Sequence, residues 1–208
     1  MKRLLALMAA VLVTVPTAQP ASAAPRGKCR TSSTTGGAKI VRRTSAVVVF
    51  SKRLAVYGCA YSGGPVAPLL DEGGGINTAG TAVKARLQIA GRYVAYTTRG
   101  SGIGDEFDRV VVWDLKAGRD TTEAASNFVR SLVVKTNGSV AWVQGSTVRD
   151  SDATRPVLEV REVSQAAYDG DLLLYRGVDV DPQSLALSPD RSKVTWNVGT
   201  TALASPLP

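Results

Sequence analysis

One hairpin pattern occurs four times in this chain: an apolar strand, a tight turn and an apolar return strand. Runs of β-branched and aromatic residues bounded by turn residues are typical of strands. Helical periodicity is nearly absent between the copies, so the pattern predicts an all-β fold. The return strands are Leu54-Ala55-Val56-Tyr57, Tyr93-Val94-Ala95-Tyr96, Val140-Ala141-Trp142 and Val194-Thr195-Trp196.

The segments before these returns supply the rest of each hairpin. Asn137-Gly138 is the strongest turn signal, because both central residues of such a turn need a positive φ. The second leading strand is predicted to start earlier, at 83–89, where every second residue is apolar, and a further strand is predicted at 110–113. The leading strands are 47–50, 87–89, 132–134 and 185–187, and the turns are 51–53, 90–92, 135–139 and 188–192.

The last aromatic residue of each return strand marks the period of the repeat. From Tyr57 to Tyr96, Trp142 and Trp196 the steps are 39, 46 and 54 residues. Propeller blades repeat at about 40–50 residues. The pattern favours a small propeller-like array of about four antiparallel blades, with a β-sandwich of similar hairpins as the alternative. Because these aromatics share one repeat position, we expect core packing; a ligand platform is the alternative.

Two segments resemble the repeats of TolB-type β-propellers from secreted bacterial proteins. Residues 187–196 resemble their Ser-Pro-Asp-Gly turn and the strand after it, with Arg191 where glycine is usual. Residues 110–118 resemble the third strand of a blade, in which an apolar run precedes Asp and a Gly turn. The resemblance implies a non-enzymatic binding or scaffold protein whose loops contact a protein or a cell-envelope component.

Residues 1–23 predict a cleavable signal peptide. A basic start at 1–3 precedes an apolar run at 4–15, and that run is shorter than the roughly 20 residues that span a bilayer. Ala21-Ser22-Ala23 supplies the small residues of a cleavage site. We expect a secreted protein that begins at Ala24 and has no transmembrane segment.

The mature chain is predicted to contain a flexible segment at 24–39 and a single domain at 40–208. Loss of Lys2 and Arg3, with no acid, lowers the formal charge from +8 to +6. The remaining length of about 185 residues suits one domain with a sizeable core. Cys29 and Cys59 predict a disulfide, since an exported chain with two cysteines usually forms one; a reactive thiol pair is the alternative.

The chain contains no histidine, which excludes Ser-His-Asp and Cys-His triads and histidine metal ligands. An enzyme of this composition would need paired carboxylates, as glycoside hydrolases do. The acids in question are Asp105, Glu106, Asp108, Asp150 and Asp152. They fall in polar segments that predict solvated carboxylates, so we expect no enzyme and no cofactor, with a small extracellular hydrolase as the rival.

Other candidate sites are weaker. The acidic segments 105–108 and 179–181 would suit calcium, although neither has the ligand spacing of a known calcium loop. The glycine clusters at 73–75 and 100–104 are predicted to be flexible loops, because a phosphate-binding loop must open a helix or contain Gly-Lys-Ser/Thr.

The positive charge suggests an alternative function as an electrostatic binder of anionic cell-wall polymer. The cations are dispersed and no nucleic-acid motif accompanies them, so nucleic acid is not an expected partner. Several cations fall in the equivalent hairpin turns, which would place them in one basic ring. The predicted ring consists of Lys52, Arg53, Arg92, Lys135 and Arg191.

Overall fold

A computed structural model describes residues 29, 37–53, 55–70, 86–101, 106–146, 156–164 and 170–208. The regular elements in these residues are fifteen β-strands, which confirms the all-β prediction. The predicted signal peptide and most of the segment 24–39 lie outside the described residues. Within them, no helix is long and apolar enough to cross a membrane.

The strands form four antiparallel sheets in chain order. Sheet 1 contains β1 (Lys39–Arg43), β2 (Val47–Lys52), β3 (Ala55–Ala60) and β4 (Ala67–Leu70). Sheet 2 contains β5 (Gln88–Ala90), β6 (Tyr93–Ser101), β7 (Glu106–Asp114) and β8 (Arg119–Ser126). Sheet 3 contains β9 (Val129–Val134), β10 (Val140–Gly145), β11 (Leu158–Val163) and β12 (Leu172–Gly177). Sheet 4 contains β13 (Val180–Leu187), β14 (Lys193–Val198) and β15 (Thr201–Pro206).

Each sheet is a meander in which every strand pairs with its neighbour in sequence. The expectation of about four antiparallel sheets is therefore confirmed, and both a propeller-like array and a sandwich are compatible with this order. The strand predicted at 83–89 is shorter in the structure, where β5 begins only at Gln88. Val83 and Ala85 of that prediction lie outside the described residues. The carbonyl of Leu87 accepts a hydrogen bond from the Arg42 side chain of sheet 1, outside any strand ladder.

Three apolar cores lie between neighbouring sheets. Val94 and Tyr96 pack against sheet 1, whereas Tyr93 and Ala95 of the same strand pack against sheet 3. Successive residues of a strand point to opposite faces, so a strand covered on both faces needs an unbroken apolar run. Sheets 3 and 4 share the third core, which includes Trp196.

The repeat aromatics occupy the core as predicted, with one exception. Tyr96, Trp142 and Trp196 are 2%, 0% and 3% exposed, and each lies on the second strand of its sheet. Tyr57 is only half-buried and stacks on Phe50 at the outer face of sheet 1, with ring centroids 5.6 Å apart. The expectation of one common position is wrong for Tyr57, because β1 precedes the first hairpin and shifts that repeat by one strand.

The predicted disulfide joins Cys29 to Cys59, with Cα atoms 5.8 Å apart. Both cysteines are buried and pack with Val48 and Phe50 on the outer face of sheet 1. The disulfide thus ties the segment before β1 to the central strands of that sheet.

Replacing Cys59 with alanine should lower the melting temperature by several degrees. A loop of 30 residues is closed by this bond, and opening it costs roughly 3–4 kcal/mol in the chain-entropy model. Differential scanning calorimetry of the variant, beside the reduced wild-type protein, measures the effect. Two reactive thiols in the native oxidised protein would contradict the assignment.

Candidate functional site

The turns of three hairpins lie at one end of the sheets, here called the Arg92 end. A Cβ atom added at Gly91 would lie 3.7 Å from the side chain of Thr136. The turns 90–92 and 135–139 are therefore neighbours. Asn137 and Ser139 donate to the carbonyl of Pro208, two residues after the end of β15. Since β15 ends opposite the start of β14, the third turn lies at the same end.

Sheet 1 presents its first hairpin in the opposite direction. A Cβ at Gly64, between β3 and β4, would lie 2.7 Å from the carbonyl oxygen of Leu115, and the Leu115 N–H donates to the Arg92 carbonyl over 3.1 Å. The β3–β4 turn is therefore at the Arg92 end, and the β2–β3 turn with Lys52 and Arg53 is at the other. The one-strand shift of the first repeat causes this reversal.

The five predicted cations therefore do not form one ring. At the Arg92 end, Arg92 pairs with Asp114 over 2.9 Å and lies above the Tyr93 ring. Lys135 Nζ donates to the Leu207 carbonyl. Arg191 is exposed and adopts a φ of 58°, a left-handed conformation that glycine adopts without strain. Two of the three predicted cations at this end are thus engaged within the protein.

The opposite end, here called the Phe128 end, contains the link 127–128 between β8 and β9. Gly145 at the end of β10 donates its N–H to the Asn127 carbonyl over 2.8 Å. Because β10 starts at the Arg92 end, this contact places Asn127 and Phe128 at the other end of sheets 2 and 3.

Asp108, one of the predicted acids, is not a solvated loop carboxylate. It lies in β7 and is 4% exposed. Its Oδ2 atom accepts the N–H of Val129 at 2.8 Å and pairs with Arg86 at 3.3 Å. The carboxylate therefore joins sheets 2 and 3, and the prediction of solvation is wrong for this residue because β7 extends further than the sequence pattern indicated.

The other predicted acids do not assemble into a site in the described part of the chain. Asp105, Asp150 and Asp152 lie outside it, as does the glycine cluster 73–75. Asp181 is exposed and accepts the backbone N–H of Gln183 at 2.9 Å, which is a turn contact. Among the described residues, no three acidic, cysteine or histidine side chains group as metal ligands. The side chain of Glu106 and residues 102–104 are likewise not described.

A buried polar cluster between sheets 2 and 3 was missed by the sequence analysis. Glu159 on β11 is 0% exposed and opposes Gln144 on β10 and Arg176 on β12. Its carboxylate accepts Arg161 Nε at 2.8 Å, Arg176 Nε at 2.9 Å, Gln144 Nε2 at 3.1 Å and Ser146 Oγ at 2.9 Å. The alternation of Glu159 and Arg161 within an apolar strand was the available signal.

The cluster extends across the interface through Gln144. Its Oε1 atom accepts the indole N–H of Trp142 at 2.7 Å and the hydroxyl of Ser126, on β8, at 2.5 Å. Ser126 pairs across the strands with Asp108. Polar side chains therefore fill the Phe128 end of an interface whose other half is apolar.

The hydrogen bonds of Glu159 determine its charge. Burial raises the pKa of Glu159, but the hydrogen bonds from Arg161, Ser146 and Arg176 outweigh burial and hold it below its usual range. The carboxylate is thus ionised at neutral pH, with both oxygens engaged. General acid catalysis needs the opposite, a carboxyl whose pKa lies near the working pH.

Phe128 combines backbone strain with exposure. Its φ is 45° and it is 46% exposed. This left-handed region is unusual for a bulky residue and costs roughly 1–2 kcal/mol. The conformation is held on both sides, since the next N–H is bound by Asp108 and the Asn127 side chain donates to the Ser146 carbonyl over 3.2 Å. Strain maintained in this way marks a candidate functional residue.

Two arginines lie at the same end with their guanidinium groups held in place. Arg86 is 36% exposed and rests on Asp108, and Arg176 is 39% exposed and rests on Glu159. Lys52 and Arg53 also lie at this end, as the reversal of sheet 1 requires. The candidate site is therefore the surface at the Phe128 end, where one exposed aromatic side chain and these cations share an end of the sheets with the exposed acids Asp179 and Asp181.

Neither protein-family models nor curated protein sequences gave a match to this chain. The resemblance to TolB-type repeats consequently stays a prediction from the two segments described above. The arrangement of side chains at the Phe128 end is the basis for a functional proposal.

Proposed function

We propose that this chain is a secreted, non-enzymatic binding protein that contacts a protein or a cell-envelope component through its Phe128 end. The observation that carries the proposal is the strained, exposed conformation of Phe128. Phenylalanine and arginine are both enriched at protein interfaces, and Phe128 lies at the same end as Arg86 and Arg176. The disulfide is consistent with an oxidising compartment.

The carboxylates favour binding over hydrolysis. Asp108 and Glu159 both neutralise arginines and both bind further donors, so they position cations rather than transfer protons. Burial raises the pKa of Glu162, partly offset by Lys135. Glu162 pairs across the strands with Ala141, and because successive residues of β11 alternate in direction it lies on the opposite face of the strand from Glu159. A hydrolase would need two such groups on either side of one bond.

A second candidate function is supported by the cations of this surface. Lys52 and Arg53 lie at the same end as Arg86 and Arg176, and the predicted mature chain has a formal charge of +6. Such a surface would attract an anionic wall polymer. The salt dependence of binding separates this candidate from an apolar protein contact.

Replacing Phe128 with glycine should strengthen folding and weaken binding. Glycine adopts a positive φ without strain, so the free energy of unfolding should rise by up to about 1 kcal/mol. Co-sedimentation with envelopes of the producing cells should fall several-fold, because the aromatic contact is lost. Urea unfolding and sedimentation measure the two effects.

Arg191→Gly is the matched control, because Arg191 is also exposed with a positive φ but lies at the Arg92 end. It should gain similar stability and keep full retention. Equal retention by both variants and the wild type contradicts the assignment. Retention that collapses between 0.1 and 1 M salt, where the screening length falls from about 10 Å to about 3 Å, identifies anionic polymer as the partner.

A further inference from the structure

The strand β15 differs from the other edge strands of the described sheets. Native proteins protect sheet edges with charges, prolines, bulges or short length. β1, β8, β9 and β12 carry both a charged residue and a bulge, β4 has Pro68 and a bulge, and β5 has only three residues. β13, the other edge of sheet 4, contains Asp181, Pro182 and a register shift.

The edge of β15 has almost none of this protection. All six of its residues pair with β14 without a register shift. It contains no charged residue, and the sequence from Val194 to Pro208 contains none either. Its single proline, Pro206, is the last residue of the strand, so the other five residues form a flat edge.

The outward hydrogen-bonding groups follow from the register. Leu207 N–H donates to the Ser192 carbonyl over 3.0 Å, and the preceding pair, Pro206 with Lys193, has no proline N–H to offer. Since bonded and non-bonded pairs alternate in an antiparallel ladder, Ala202 and Ala204 turn their N–H and C=O groups away from β14. Both residues are exposed.

We propose that β15 pairs antiparallel with β15 of a second copy of this chain. A two-fold axis through Leu203 places Ala202 opposite Ala204 of the partner subunit, and Ala204 opposite Ala202 of the partner subunit. The outward groups of each copy then bond to those of the other, because outward pairs are the hydrogen-bonded pairs of the new ladder.

A second copy fits this edge for electrostatic and steric reasons. The predicted mature chain carries a formal charge of +6, so two copies repel overall, whereas β15 and the residues of β14 from Val194 onward are uncharged. Its small side chains let two strands approach closely. The pairing extends sheet 4 across both subunits and directs their Phe128 ends in opposite directions, so the dimer would bridge two partners.

Sedimentation equilibrium of the secreted protein tests the pairing. We expect a reversible dimer, and Ala204→Pro should weaken dimerisation about tenfold or more. Proline removes one outward N–H in each copy, and it leaves the bonds to β14 intact because Ala204 does not donate to that strand. Ala204→Thr, which keeps the N–H, should dimerise within about twofold of wild type.

Circular dichroism shows whether Ala204→Pro remains folded. Should that variant unfold, Ala204→Lys provides the same test through repulsion at the paired edges. A wild-type protein that stays monomeric at high concentration overturns the proposal. So does a folded Ala204→Pro variant that dimerises as tightly as Ala204→Thr.

Discussion

Replacing Glu159 with alanine should lower the free energy of unfolding by about 3–5 kcal/mol, the usual cost of breaking a buried ion pair. The side chain is 0% exposed and binds two arginines, a glutamine and a serine. Its removal leaves Arg161, which is only 18% exposed, with Asp171 as its remaining ion-pair partner among the described residues. Urea unfolding of the purified variant measures the loss.

Glu123→Ala is the matched control for this experiment. Glu123 also pairs with an arginine on a neighbouring strand, Arg109, but both side chains are 47% exposed. Pairs exposed to this extent contribute about 0–1 kcal/mol. Equal losses for the two variants would show that burial does not give the Glu159 cluster its strength.

The pH dependence of stability should follow the same carboxylate. Burial raises the pKa of Glu159, but its hydrogen bonds lower the pKa by more than burial raises it, so the net pKa lies below the ordinary value. The native state then holds this proton more weakly than the unfolded chain does. The stabilisation is present above the unfolded pKa of about 4.3 and is lost as pH falls through the folded pKa. Glu159→Gln should lose less stability than wild type over that acidic range.

The hairpins could be predicted because their signals are local. A turn such as Asn137-Gly138 favours the positive φ values that a hairpin needs. The strands beside it are predicted by their β-branched and aromatic residues. The position of the first hairpin within sheet 1, on the second and third strands and not on the first and second, could not be predicted in this way. It depends on β1, whose charged residues Lys39, Arg42 and Arg43 resemble a solvated surface segment and show no apolar strand pattern.

The candidate site depends on contacts between residues distant in sequence. Asp108 and Val129 meet only when sheets 2 and 3 pack together, and Glu159 acquires its arginines from two different strands. The backbone strain at Phe128 could not be predicted from the residue type, since phenylalanine is common in unstrained strands. Contacts across sheets and backbone strain are thus the features that periodicity identifies least well.

Replacing Trp142 with alanine should cost about 3–5 kcal/mol, the usual loss at a large buried aromatic site. Trp142 is 0% exposed in the core between sheets 2 and 3. For a domain of this size the melting temperature should fall by about 10 °C. Calorimetry measures the shift, and a loss below about 1 kcal/mol would contradict the burial of this ring.

Two phenylalanine variants separate packing from hydrogen bonding in this prediction. Trp142 donates its indole N–H to Gln144 over 2.7 Å, whereas the buried indole nitrogen of Trp196 has no hydrogen-bond partner among the described residues. Trp142→Phe therefore leaves the Gln144 oxygen with one donor fewer, and Trp196→Phe removes an unsatisfied group. A buried polar group that loses its partner costs about 1–3 kcal/mol, so Trp142→Phe should destabilise more than Trp196→Phe. The reverse order would mean that the polar cluster contributes less than the packing around it.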